Sequence, residues 1–480
     1  MELDVFLREY VKAIKNDTAA VFAGAGLSCD AGFVDWKGLL CDIAEDLHLD
    51  VDKEEHDLIG VAQYHYNEHQ RGRINELILN EFGRKATITE NHKILARLPI
   101  KTYWTTNYDN LIETAIKDEG KIPDVKIECA NLAQSKKDRD VVVYKMHGDV
   151  SQPQKAVIIR DDYEKYDNTH NLFMTALQGD LVSKTFLFLG FSFSDPNLNY
   201  ILSRVRNGLE DNQRPHYCIM KRVTRDDYGN DEDYAYAKIK QEYQIKDLKR
   251  FSINTIFVDT YKEITQVLHL IELMYRKTCV FISGSAVKYD PFLKNEAQEL
   301  LHRLSYELVK KDYRIITGFG LGVGTYVING ALEYMYEKSI TRIDSRILMR
   351  PFPQKASGSK TLSEQWEYYR NLIISEAGVA IFVFGNKEKE DDGTIINADG
   401  VLKEFEIAKV KGLNLIPIGS TGYQTKELWQ LIINDFDRYY PNERHLKPQL
   451  EILGTSTDLD EIIENVMKII SGIGGEMSKG

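Results

Sequence analysis

The stretch Ala19-Ala-Val-Phe-Ala-Gly-Ala-Gly-Leu-Ser28 joins an apolar run to two glycines separated by one residue. The run from Ala19 to Ala23 contains no polar residue, which is typical of a strand buried on both faces of a parallel sheet. Glycines allow a sharp turn and a close approach of backbone to a ligand, and a following helix N-terminus favours a phosphate group. The stretch therefore predicts a strand, a glycine loop and a helix around a phosphate, although a tight structural turn explains this glycine pair equally well.

Similar apolar runs alternate with helical patterns through the first half of the chain, which indicates a parallel sheet flanked by helices. The further strands predicted there are Ile100–Thr105, Val141–Met146, Thr185–Leu189, His216–Met220 and Thr255–Val258. The polar stretch from Trp36 to Leu98 has a helical pattern, and we expect it to form an insertion beside the sheet.

A second series of strand and helix patterns starts at Thr278. After the first strand at that start, further strands are predicted at Arg314–Thr317, Arg346–Met349, Val379–Phe384 and Leu415–Ile418. The acidic, glycine-bearing segment 387–400 is expected to be an exposed loop. We therefore predict an α/β protein with two Rossmann-like parallel-sheet domains, residues 1–276 and 277–480.

The composition excludes several classes of protein. A chain of 480 residues with 43% hydrophobic residues is long enough for two cores, and a net charge of -12 argues against nonspecific nucleic-acid binding. The five cysteines are scattered, which is typical of a reducing compartment. The charged N-terminus and the absence of a long apolar run predict a cytoplasmic protein without a membrane span.

Polar residues follow two further predicted strands. Asn107 and Asp109 follow the strand that ends at Thr105, and His147 follows the strand that ends at Met146. The carboxyl ends of parallel strands meet at one edge of a sheet, where ligands bind. Each residue alone has a structural explanation: a turn for Asn107, an N-cap for Asp109 and a buried polar contact for His147. Their occurrence together at strand ends favours a site.

Motifs Gly24-Ala-Gly-Leu-Ser28, Thr105-Thr-Asn-Tyr-Asp109 and His147-Gly148 resemble those of the sirtuin family, in the same order. Gly190-Phe-Ser-Phe-Ser-Asp-Pro-Asn197 is similar to a later ribose- and phosphate-binding loop of that family. The resemblance implies that His147 is a general base and that Asn107 contacts the nicotinamide-side ribose and the attacking water. It implies NAD contacts at Ala23, Gly24, Ala25, Gly26, Ser28, Asp109, Gly190, Ser192 and Asp195.

The sequence departs from the deacylating sirtuins after the His-Gly motif. Those enzymes carry four cysteines for a structural zinc, whereas this chain has no cysteine from Gly148 to Gly190. Thiolate ligands for a tetrahedral zinc are therefore absent from that stretch, and we expect no metal site there. The departure disfavours deacylation and favours cleavage of NAD⁺ by water.

The second half contains the run Thr317-Gly-Phe-Gly-Leu-Gly-Val-Gly324, in which glycines alternate after a predicted strand. Close approach of a nucleotide explains this run, as does glycine-rich packing of a helix on a strand. This half resembles the SLOG superfamily of nucleotide-binding domains, but it lacks the Pro-Gly-Gly-x-Gly-Thr loop of the hydrolases in that group, so we expect ligand sensing. The ligand contacts we predict are Gly284, Ser285, Gly322, Gly324, Arg370, Lys387 and Glu404, with the two cations on phosphates and Glu404 on a ribose hydroxyl.

The two halves together resemble the effector family of the Thoeris antiphage defence system. The resemblance implies an autoinhibited homo-oligomer, by analogy a tetramer, that converts NAD⁺ to nicotinamide and ADP-ribose and uses no other cofactor. It implies activation by a cyclic ADP-ribose isomer that a partner TIR-domain protein makes. Two alternatives stay open: an NAD-dependent protein deacylase and a noncatalytic nucleotide-binding regulator.

Overall fold

A computed structural model describes residues 2–54, 57–356, 358–389 and 391–473. The chain divides into two compact units, one up to Glu272 and one from Leu273 onward. This boundary lies four residues before the one predicted from the sequence, between residues 276 and 277. Each unit is built around its own parallel sheet.

The first unit contains a seven-stranded sheet in the order β3-β4-β2-β1-β5-β6-β7, with every neighbouring pair parallel. Its strands are β1 (Ala19–Ala23), β2 (Thr102–Thr105), β3 (Pro123–Lys126), β4 (Val141–Lys145), β5 (Thr185–Leu189), β6 (His216–Lys221) and β7 (Ile253–Val258). The chain places β2 on one side of β1 and later places β5 on the other side. The boundary between β1 and β5 is therefore the switch point at which open α/β sheets bind ligands.

The helices of the first unit are α1 (Leu3–Lys15), α2 (Trp36–Asp46), α3 (Leu58–His69), α4 (Gly72–Phe82), α5 (Glu90–Arg97), α6 (Leu111–Asp118), α7 (Cys129–Leu132), α8 (Arg160–Thr169), α9 (Asn171–Ser183), α10 (Pro196–Leu209), α11 (Asp231–Lys249) and α12 (Lys262–Lys277), which continues into the second unit. The stretch between Trp36 and Leu98 forms α2 to α5. Apolar residues of α2, α3 and α4 build a core with Phe33 and Ile158, apart from the core that packs on the sheet around Trp104.

The helix expected directly after the first glycine pair is not formed. Two short 3-10 turns, Ala25–Leu27 and Cys29–Ala31, occupy this place, and Gly32 ends them with a φ of 91°. Helix α2 begins later, where Asp35 accepts a hydrogen bond from the Gly38 amide. The left-handed conformation of Gly32 interrupts helical hydrogen bonding, so the loop after β1 carries no regular helix N-terminus.

The second unit contains a five-stranded parallel sheet in the order β10-β9-β8-β11-β14. Its strands are β8 (Cys279–Ser285), β9 (Arg314–Thr317), β10 (Ile347–Met349), β11 (Val379–Phe384) and β14 (Asn414–Pro417). An antiparallel hairpin, β12 (Asn386–Glu388) and β13 (Ile395–Asn397), lies where the sequence predicted only a loop. The helices are α13 (Lys294–Lys310), α14 (Gly324–Glu337), α15 (Leu362–Ser375), α16 (Asp399–Val410), α17 (Tyr423–Asn434), α18 (Phe436–Tyr439), α19 (Lys447–Ile452) and α20 (Leu459–Gly472).

The predicted fold class, an α/β protein with two Rossmann-like parallel sheets, is confirmed. Across the part of the chain that the structure describes, every helix is too short or too polar to cross a bilayer.

Candidate functional site

The three motifs of the first unit meet at the carboxyl edge of its sheet. Gly24 follows β1, Asn107 lies two residues beyond β2, His147 lies two residues beyond β4, and Gly190 directly follows β5. These strands include the pair that flanks the switch point. The fold therefore brings the motifs from separate parts of the sequence to one place.

Asn107 is held by a directional hydrogen-bond network. Its Nδ2 donates to the carbonyl oxygen of Gly24 and to Oγ of Ser28, each at 3.1 Å. Ser28 donates in turn to Oδ2 of Asp109 at 2.9 Å, while Oδ1 of Asp109 accepts from the Leu111 amide at 2.9 Å. These contacts fix the orientation of the Asn107 amide.

The other amide atom of Asn107, Oδ1, is buried and has no hydrogen-bond partner within the described residues. A buried acceptor without a partner costs about 1 to 3 kcal/mol, so its presence needs an explanation. A ligand hydroxyl or a water at this strand end would satisfy it. Asp109 is a partner of Ser28 and a turn residue before α6, whose N-cap position is held by Asn110. The NAD contact expected of Asp109 stays a prediction.

His147 faces a carboxylate. Its Nε2 lies 3.0 Å from Oδ2 of Asp195, and both side chains are buried. The ring nitrogen is not aligned with that oxygen as in a hydrogen bond, so the contact is an ion-pair distance rather than an aligned bond. Burial raises the pKa of Asp195, but His147 and the amides of Leu198 and Asn197 outweigh it and hold that pKa below its usual range.

Asp195 reaches this position because it caps a helix. Its Oδ1 accepts from the Leu198 amide at 2.7 Å, and Pro196 is the first residue of α10. The Asp-Pro pair is a sequence signal for a helix start, but Asp195 was predicted from the sequence only as an NAD contact and not as a neighbour of His147.

The glycines of this site pack against each other. A side chain on Gly24 would come within 2.4 Å of the carbonyl oxygen of Gly190, and Gly190 itself has a φ of 61°. The amides of Gly24 and Gly26 donate to Leu189 and Gly190, at 2.9 and 3.0 Å. Close packing of the two loops therefore accounts for these glycines. Their NAD contacts, and those expected of Ala23 and Ala25, stay predictions.

A buried lysine, missed by the sequence analysis, joins the second and third motifs. Nζ of Lys145 bonds to the carbonyl oxygens of Tyr108 and Asp109 and to the carboxylates of Glu113 and Asp149. Burial lowers the pKa of Lys145, but the two carboxylates outweigh burial and raise it. Burial raises the pKa of Glu113. The pKa of Asp149 is lowered, because Lys145 outweighs burial there, so we take Asp149 as the permanent counter-charge of Lys145. The sequence signal that could have identified this buried group is a lysine in an otherwise apolar predicted strand.

The second unit has a buried polar cluster beside β8. Ser283 donates to Oε2 of Glu404 at 2.5 Å, and Nε of Arg370 lies 3.5 Å from Oε1 of Glu404 without hydrogen-bond alignment. The Arg370 guanidinium lies 5.1 Å from the ring centre of Phe352. Burial raises the pKa of Glu404 above its usual range, against the effect of Ser283 and Arg370. Two of the predicted ligand contacts are thus neighbours.

The other predicted contacts of this unit have structural roles. A side chain on Gly284 would come within 2.6 Å of the Val383 carbonyl oxygen, and one on Gly322 within 2.0 Å of the Ala286 carbonyl oxygen. Gly324 packs similarly against the Phe319 backbone. Close approach of neighbouring backbone, between strands or between loops, therefore accounts for these glycines, and their ligand contacts stay predictions.

Two predicted ligand residues of the second unit lie at the hairpin. Lys387 forms an ion pair with Asp399, and Ser285 donates to the carbonyl oxygen of Asn386 at 3.0 Å. In the first unit, the predicted NAD contact Ser192 bonds to the exposed Ser194. Within the described ranges, no three His, Cys, Asp or Glu side chains are grouped so that they could hold a metal ion.

Comparison with known proteins identifies both units. Residues 101–248 match the SIR2-like domain family, and residues 263–473 match the Sir2- and TIR-associating SLOG family. A defense-associated sirtuin 2 of Bacillus subtilis is 29% identical over 222 residues, which are 44% of this chain and 22% of that protein.

Two relatives match along the full length. The NAD(+) hydrolase ThsA of Bacillus cereus (strain MSX-D12) is 48% identical over 472 residues, 98% of each chain. The NAD(+) hydrolase ThsA of Cytobacillus dafuensis is 46% identical over 479 residues, 98% of this chain and 96% of that protein. The chain therefore belongs to the ThsA family of NAD(+) hydrolases, with a SIR2-like and a SLOG domain, as its resemblance to Thoeris effectors predicted.

Proposed function

We propose that the first unit hydrolyses the bond between nicotinamide and ribose in NAD⁺, with Asn107 and His147 as the catalytic residues and nicotinamide and ADP-ribose as products. The observation that carries this proposal is the buried Oδ1 of Asn107, which lacks a partner within the described chain at the edge where the three motifs meet. The names of the full-length relatives support the reaction.

Each residue has a defined chemical task in this proposal. Breaking the glycosidic bond creates an oxocarbenium-like sugar and releases neutral nicotinamide, so the site must orient a water molecule and remove one of its protons. Oδ1 of Asn107 accepts a hydrogen bond from that water or from a ribose hydroxyl. His147 takes the proton as the water oxygen bonds to C1′.

We further propose that the protein rests in an inactive, homo-oligomeric state, a tetramer by family resemblance. A cyclic ADP-ribose isomer from a TIR-domain protein then activates it to deplete NAD⁺. The description of the second unit's family as TIR-associating supports the source of this ligand. A tenfold activation requires the ligand to favour the active state by about 1.4 kcal/mol.

The proposed activator site includes the cluster of Ser283, Arg370 and Glu404. The Nε atom of Arg370 is buried and has no aligned hydrogen bond within the described residues, and arginine can bind a phosphate in a bidentate manner, so this side chain is a suitable phosphate partner. Glu404 would accept a hydrogen bond from a ribose hydroxyl. Lys387 is half-exposed and would leave Asp399 to bind a second phosphate.

Chromatography of NAD⁺ incubated with the purified full-length protein tests this function. The proposal expects nicotinamide and ADP-ribose in equal amounts, formed faster when cyclic ADP-ribose or a linkage isomer is added. NAD⁺ consumption that depends on an acyl-lysine peptide would instead indicate a deacylase. Tight NAD⁺ binding without nicotinamide release under every condition would indicate a noncatalytic regulator. Light scattering of the same sample measures the oligomer.

A further inference from the structure

The carboxylate of Asp195 is fixed in position by the backbone. One oxygen, Oδ1, accepts from the Leu198 amide as the N-cap of α10, and Pro196 restricts the backbone at the first position of that helix. The second oxygen, Oδ2, lies 3.0 Å from Nε2 of His147, without hydrogen-bond alignment. Capping explains the first contact but does not require the second.

Asp195 is the ionised group closest to the His147 ring among the groups that face it. The rings of Tyr163 and Tyr166 lie 5.5 and 6.4 Å from that of His147, and burial raises the pKa of both phenols well above the usual value. Burial, and then His147, lowers the pKa of His170. These neighbours are therefore neutral near pH 7, which leaves the carboxylate as the dominant charge.

A neutral imidazole carries its proton on one nitrogen and a lone pair on the other. A lone pair on Nε2 would lie near a carboxylate oxygen 3.0 Å from that nitrogen, which is repulsive, whereas an N–H in the same place is attractive even off the hydrogen-bond axis. We propose that Asp195 is a positioning residue that holds the proton of His147 on Nε2 and thereby makes Nδ1 the nitrogen that accepts the proton. This inference rests on the proposed role of His147 as the base.

The same carboxylate stabilises the imidazolium that forms when Nδ1 takes the proton. No group is oxidised or reduced: the proton moves from water to Nδ1, and Asp195 stays ionised throughout. A carboxylate with this task in a hydrolase supports turnover without touching the substrate. Its loss should therefore lower kcat and leave KM unchanged.

Asp195→Asn is the informative variant, because asparagine caps helices as well as aspartate but carries no charge. Asp458→Asn is the matched control, since Asp458 caps α20 by accepting from the Glu461 amide. Circular dichroism and thermal unfolding establish that both variants fold. His147→Ala is measured in parallel.

The experiment measures nicotinamide release by the full-length proteins with cyclic ADP-ribose or the linkage isomer that activates the wild type. The expected result is a kcat lower by about tenfold or more for Asp195→Asn, with wild-type KM and an unaffected Asp458→Asn control. NMR of protein with ¹⁵N-labelled histidine reports the tautomer, and the signal missing from His147→Ala identifies the residue. We expect Nε2–H in the wild type and a mixture of tautomers in Asp195→Asn.

A wild-type or increased kcat for Asp195→Asn would overturn the inference, as would a lower kcat with the Nε2–H tautomer retained. If His147→Ala itself keeps wild-type turnover, the proposed function fails. If His147→Ala is inactive and Asp195→Asn is fully active, only the role of Asp195 fails.

Discussion

Replacing Lys145 with methionine should destabilise the first unit strongly. The Lys145 side chain is fully buried, and its substitution leaves the carboxylate of Asp149, whose side chain is 10% exposed, without its counter-charge. Breaking a buried pair from one side costs about 3 to 5 kcal/mol. This cost is a large part of the free energy of unfolding of a typical domain, which is roughly 5 to 15 kcal/mol. The carbonyl oxygens of Tyr108 and Asp109 also lose their donor, so the loop that carries Asn107 should loosen.

Urea unfolding followed by tryptophan fluorescence measures this effect. Lys165→Met is the matched control, because Lys165 forms an exposed pair with Asp161, and such pairs contribute about 0 to 1 kcal/mol. The double variant Lys145→Met/Asp149→Asn should recover part of the loss, since it removes the unpaired charge. If the Lys145→Met protein is as stable as Lys165→Met, the buried lysine does not stabilise this unit.

Three further predictions concern activity and pH. His147→Ala should lower nicotinamide release about 10²-fold or more, measured by chromatography with activator present; unchanged turnover would exclude His147 as the base. Arg370→Ala and Lys387→Ala should each raise the cyclic ADP-ribose isomer concentration needed for half-activation by about tenfold, and wild-type titration curves would reject these contacts. The pKa values of Asp149 and Asp195 are lowered in the folded protein, so their stabilisation is complete above the unfolded value of about 3.9 and is lost as pH falls through the folded values. The thermal midpoint should therefore fall below about pH 4, and less steeply for Asp195→Asn.

Continuous apolar runs made much of the fold predictable. The strands Ala19–Ala23, Thr185–Leu189 and Val379–Phe384 were predicted with the bounds that the structure has, because burial on both faces requires such runs. Strand β3 was missed because Pro123–Lys126 is half polar and pairs with a single neighbour at the sheet edge. The hairpin after Phe384 was missed because each of its strands has only three residues and β12 is polar.

The sequence also located the candidate site, since motif order and strand ends brought Asn107 and His147 to one edge. It did not reveal how these residues are held. The partner of His147 lies 48 residues away, at Asp195, and no local pattern links the two. Likewise, Gly24 and Gly190 require each other through a contact between distant loops, whereas the sequence suggested a ligand or a local tight turn at Gly24 and a ligand at Gly190.

We propose that Asn107 belongs to a site that cleaves NAD⁺. The most direct measurement is the rate of nicotinamide release by wild-type and Asn107→Ala proteins, with cyclic ADP-ribose isomers present and with folding verified by circular dichroism. We expect a rate about 10²-fold lower for the variant, because the amide that orients the water or ribose is gone. Equal rates for the two folded proteins would contradict it.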